Sequence, residues 1–116
     1  MANETPAKVL KPSDLTFNPR FEHGEQAQVA SVCGPDQGTQ LGAGYVRMTN
    51  AKIPWTIKYD EMVLVVEGSL TIHIAGEPLT AKAGESIWLP NGTELVYESE
   101  NALLFYAIHP ANWAET

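Results

Sequence analysis

The stretch WTIKYDEMVLVVEG, residues 55–68, decides the fold. Its centre, MVLVV at 62–66, is a continuous apolar run too short for a helix and rich in β-branched residues. With Gly68 closing it, the run predicts one strand covered on both faces and ending in a tight turn. Tyr59, Asp60 and Glu61 stand at its mouth. A carboxylate entering such a strand has to be solvated, paired, metal-bound or functional, because burying an isolated charge is costly. Glu61 is therefore the first residue to examine for function.

Outward from this stretch the pattern is of short strands broken by turns. Residues 26–32 and 41–48 are expected strands separated by Gly34-Pro35-Asp36-Gln37-Gly38, a turn sequence. Gly42-Ala43-Gly44 lacks the Lys-Ser/Thr ending and the helix of a phosphate loop, so close strand packing is the expectation there. Beyond Gly68, residues 70–74 alternate, with Leu70, Ile72 and Ile74 on one face and Thr71 and His73 on the other. Further strands are expected at 79–83, 86–89, 94–98 and 103–108, with turns at Gly76-Glu77-Pro78, Gly84 and Pro90-Asn91-Gly92. Ser13-Asp14-Leu15 has room for one helical turn. Turn signals about every ten residues and no long helix predict an all-β sandwich or barrel. Residues 1–25, with Pro6 and Pro12, are expected to form a partly ordered N-terminal extension, and 26–116 a single domain.

Composition narrows the partners. The 116 residues carry 14 Asp and Glu against 7 Lys and Arg, and a net charge of -7 repels phosphate backbones and anionic membranes alike. Nucleic acid and membrane are excluded on that ground. Cys33 is the only cysteine, so no intramolecular disulfide forms; with no apolar leader at the amino terminus, a reduced cytoplasmic setting is expected. Cys33 reads as a small core or turn residue, because no His lies near it in sequence.

The spacing of glycines invites a comparison. Glu61, six residues, then Gly68, and later Gly84, five residues, then Pro90-Asn91-Gly92 resemble the two motifs of the cupin superfamily, over about residues 44–110. More narrowly, Pro54-Trp55-Thr56-Ile57 with Tyr59-Asp60-Glu61, the Ala81-Lys82-Ala83-Gly84 corner and the ending Pro110-Ala111-Asn112-Trp113 resemble the carboxy-terminal cupin domain of the ethanolamine-utilisation EutQ proteins. The resemblance implies a double-stranded β-helix, the cupin jelly-roll barrel, with a cavity between its sheets. It implies a homodimer, a link with ethanolamine breakdown and an acetate-kinase-like activity. A metal-binding cupin carries His-x-His before the motif glutamate and a further His three residues after the second-motif glycine. In this sequence those places fall on Pro54 and Thr56, or Trp55 and Ile57, and on Leu95. Glu61 alone remains of the three-His, one-Glu set, and one carboxylate is a poor transition-metal site. No tightly bound metal is expected; a substitute set would draw on Glu61, Tyr59, Tyr97 and His109.

Tyr59 and Glu61 share strand parity with Val63 and Val65, and Tyr97 shares it with Leu95, so all three are expected to project into the cavity as candidate catalytic residues. Two phenols and a carboxylate form either an acid-base cluster for a small metabolite or a structural hydrogen-bond network. An apolar surround would raise the carboxyl pKa. Phosphoryl transfer needs Mg²⁺ and cationic groups, and Arg47, Lys52 and Lys58, the nearest candidates, read as solvated surface charge. His109 before Pro110 and His23 in a loop read as surface residues. Trp55, Trp88 and Trp113 are either core, interface or pocket wall. Two function classes stay open: a small metal-independent enzyme, and a non-catalytic ligand-binding or microcompartment-associated structural protein.

Overall fold

Seven strands, β1 (Asn18–Pro19), β2 (Ala27–Cys33), β3 (Gly42–Thr56), β4 (Asp60–Ile74), β5 (Glu77–Lys82), β6 (Ser86–Leu89) and β7 (Glu94–His109), account for most of a computed structural model that describes residues 7–19 and 24–113. They are ordered β1-β2-β3-β7-β4-β5, with β6 pairing β4, and every pairing is antiparallel. Among the described residues, one-turn 3-10 segments lie at Pro12–Asp14 and Pro35–Gln37 before β3. His23 lies outside the described residues. No helix among the described residues is long and apolar enough to cross a membrane.

Three long strands, β3, β4 and β7, give the molecule its shape, and here the structure departs from the sequence reading. Residues 94–98 and 103–108 are one strand, β7, rather than two, and the strand begun at residue 42 continues to Thr56. Gly68 ends nothing. It lies inside β4, where the register against β7 shifts between Val65 and Glu67 and again between Gly68 and Thr71. Gly68 takes φ 78°, and a Cβ there would collide with the Asn101 carbonyl oxygen, so the sequence position demands glycine for a bulge instead of a turn. Asn50 in β3, also at positive φ, is skipped in the register with β7 at the same level. Bending all three strands there turns the sheet over its own inner face. Val63 and Val65 from the first half of β4 and Leu70 and Ile72 from the second half then enter one core.

The 62–66 run is not covered on both faces. Val63 and Val65 are 2% and 0% exposed, whereas Met62, Leu64 and Val66 are 43%, 40% and 38% exposed. The physical reason is that a rolled sheet has only one inner face; the other has no layer to cover it among the described residues. Met62 pairs with Trp88 of β6, which is 55% exposed, so an apolar patch lies on the outside of the barrel.

Candidate functional site

The rolled sheet bounds a partly open cavity of about 610 Å³, walled by inward residues of β2, β3, β4 and β7, by Gly34, Pro35 and Tyr59 between strands, and by Ala111 and Trp113 beyond β7. The residues between β3 and β4 position its polar end. Ile57, wholly buried, donates its N–H to the Thr93 carbonyl at 3.1 Å and accepts from Gly92 N–H at 2.9 Å. Asp60 faces outward and accepts the Asn91 N–H at 2.9 Å. The second glycine motif thus clamps the first. Period-2 alternation then carries Tyr59 and Glu61 inward on either side of Asp60.

Glu61 is 7% exposed and accepts a hydrogen bond from the Tyr97 hydroxyl at 2.9 Å, a contact that joins β4 to the first half of β7 across the cavity. Tyr59, 3% exposed, accepts the Trp55 indole N–H at 3.2 Å through its hydroxyl oxygen. Its ring packs against Trp113, centroids 5.3 Å apart, and Trp113 meets Trp55 edge to face at 6.0 Å. Tyr59, Glu61 and Tyr97 are thus brought together on one cavity, and Trp55 and Trp113 join them. Such a carboxylate, held by a phenol beside an aromatic wall, can exchange a proton with a bound molecule or orient it by hydrogen bonds.

The remaining sequence candidates are elsewhere. Trp88 is outside. His109 is exposed at the end of β7, with Nε2 3.4 Å from Gln40, so it does not complete a set with Glu61. His73 is half-buried on the outer face and pairs with Glu98 at 2.7 Å. Glu98 is held below its ordinary carboxylate value by its hydrogen bond from His73 and, further, by the charges of His73 and Lys52. Arg47, Lys52 and Lys58 are exposed. Leu95 is a core residue, 4% exposed, and Pro54 and Thr56 face outward. Among the described residues no group of three or more His, Cys, Asp and Glu is placed to hold a metal ion.

Tyr106 and Ser31 are wall residues outside the sequence candidates. Tyr106 lines the cavity; a Cβ on Gly44 would stand 2.6 Å from the Ala30 carbonyl oxygen of β2 and 2.9 Å from the Tyr106 hydroxyl, so the glycine admits both the close approach of β2 and the phenol. The run LLFYAI at 103–108 is apolar at both parities, and only its register with β4, Tyr106 opposite Val63, fixes which side faces in. Of the two readings of Cys33, core or turn, the structure sets aside the turn: Cys33 ends β2 and, like Ser31, lies on the wall.

A jelly-roll barrel with its cavity between the two halves of a rolled sheet is a cupin, and the chain has that fold. An RmlC-like cupin from Shewanella frigidimarina shares it at a TM-score of 0.73 and 13% identity, covering 96% of this chain and 97% of that one. Within the cupins, the family described as ethanolamine utilisation protein EutQ matches residues 8–115, and the chain belongs to that family. It is 34% identical over 109 residues to the acetate kinase EutQ of Escherichia coli K12, a match that covers 91% of this chain and 46% of the relative. The chain spans about half the length of the curated relatives it matches. The crystal structure of EutQ from Salmonella typhimurium LT2 superimposes with a TM-score of 0.82 at 29% identity, covering 91% of this chain and 88% of that one. For the Clostridium difficile EutQ structure the values are 0.71 and 30%, over 75% and 70%.

Proposed function

We propose that this EutQ-family cupin binds a small metabolite in the barrel cavity and that Glu61, with Tyr97 and Tyr59, is its acid-base and orienting group. The observation that carries the reading is the buried Glu61 carboxylate on the cavity wall, in reach of the Tyr97 hydroxyl from the facing half of the rolled sheet. Its setting is the cytoplasm and ethanolamine utilisation. The curated relatives are named acetate kinases. Phosphoryl transfer needs Mg²⁺ and cationic groups around phosphate, and no Lys or Arg is among the described wall residues. The proposed chemistry is therefore proton transfer. Thermal-shift screening with small acids, amines, sugars and nucleotides, with and without divalent metals, tests it: a selective shift that Glu61→Gln abolishes supports it, and uniform indifference overturns it.

A second reading, a non-catalytic assembly component, draws on the outer patch of Met62, Leu64 and Trp88. In either reading a second copy covers that patch, making a homodimer. Light scattering is expected to give twice the chain mass, and a monomer across a concentration series would count against it.

A further inference from the structure

We propose that the cavity takes an amphipathic small molecule, one hydrogen-bonding head on an extended apolar body, and not a two-carbon metabolite. The inference rests on the cavity being the binding site. It starts from size. At about 30 Å³ per water, the roughly 610 Å³ cavity has room for about twenty waters, whereas a four-heavy-atom molecule such as acetate or ethanolamine would fill on the order of a tenth of it. A ligand that small leaves most of the apolar wall wet and gains almost nothing from it. Cavities of this volume bury molecules of drug-like size.

The register gives the cavity a direction. Glu61 pairs with Ile108, Val63 with Tyr106 and Val65 with Leu104, and across β7 the partners Tyr106 and Leu104 meet Gly44 and Val46. The carboxylate therefore stands in one row, a phenol in the next inward row, and only aliphatic side chains in the third, where Val29 of β2 faces Val46. Four residues of strand separate the first row from the third, about 13 Å. Polar groups that can hold a head, Glu61 and Tyr97 with Tyr59 nearby, are gathered at one end. The other end offers apolar contact alone, which rewards length and is blind to charge. Small polar metabolites would need the reverse arrangement, polar groups converging from all sides on a small volume.

A homologous series of 4-alkylphenols, from phenol to 4-heptylphenol, titrated calorimetrically into the full chain beside acetate and ethanolamine, tests this. Affinity should rise about threefold to fourfold per added methylene while the third row fills. Val46→Phe should flatten that rise. Val29→Trp, at a half-buried position on the same row, serves if Val46→Phe fails to fold. Trp88→Ala on the outer patch should leave the rise intact. Acetate or ethanolamine binding as tightly as the longest phenol would overturn the inference while the cavity reading stands. A rise that persists in the folded wall variant, or that disappears with Trp88→Ala, would overturn it too. No binding by any probe in either class would remove the cavity reading itself, and the inference with it.

Discussion

Replacing Glu61 by Gln separates a functional carboxylate from a structural one. Gln keeps the length of the side chain and a carbonyl acceptor for the Tyr97 hydroxyl, now 2.9 Å from the carboxylate oxygen, while removing the charge and the titratable proton. A hydrogen bond to a charged group contributes about 1.5–3 kcal/mol and a neutral one about 0.5–1.5, so the exchange costs about 1 kcal/mol. In a domain of this size that is a fall in Tm of about 3–6 °C. Glu61→Leu goes further, removing the carboxylate oxygen to which Tyr97 donates; about 1–3 kcal/mol is expected, toward the lower end because Tyr97 is only half-buried and water can reach it. Scanning fluorimetry on both variants gives the stability arm, and the ligand-induced shift on Glu61→Gln gives the functional arm. Glu67→Gln, exposed on the same strand, is the control. The expected pattern is a small Tm loss with the ligand response abolished. Were Glu61→Gln to match the control in both quantities, the site would lie elsewhere, on the outer surface or at an interface between copies.

Three further outcomes follow from the geometry. Protein purified without added metal should carry far less than one transition metal per chain by elemental analysis, since Leu95 and residues 54–57 supply no imidazole; one equivalent lost on Glu61→Gln would refute this. Gly68→Ala should destabilise by more than about 2 kcal/mol, because positive φ and the clash with Asn101 act together, and denaturant unfolding measures it. Glu98 is held below its ordinary value of 4.5, so the unfolded chain binds its proton more readily than the folded one; the stability it contributes is present above that value and lost as pH falls through the lower, folded value. His73→Ala should therefore shrink the acid-side fall of Tm, and an unchanged profile would show that the His73–Glu98 pair contributes nothing.

The placement of the candidate site's residues was partly legible in residue order. Parity alone put Tyr59 and Glu61 on the face of Val63 and Val65, and Tyr97 on that of Leu95, because a strand alternates whatever it packs against. The glycine spacing and the residues around 54–61, 81–84 and 110–113 carried the family. What residue order left open depends on which strands meet. Whether MVLVV is covered on one face or two is a property of the sheet's curvature, and the outward exposure of Met62 and Leu64 follows from the sheet rolling over its own inner side. Gly68 looks the same in sequence at a turn and at a bulge; the approach of Asn101 from β7, thirty-odd residues away, decides between them. Tyr106 sits in a run apolar at both parities, so only its pairing with Val63 turns it inward. The Glu61–Tyr97 hydrogen bond joins residues from opposite walls of the barrel, and a distance across a cavity is fixed by closure of the sheet, which no local pattern encodes.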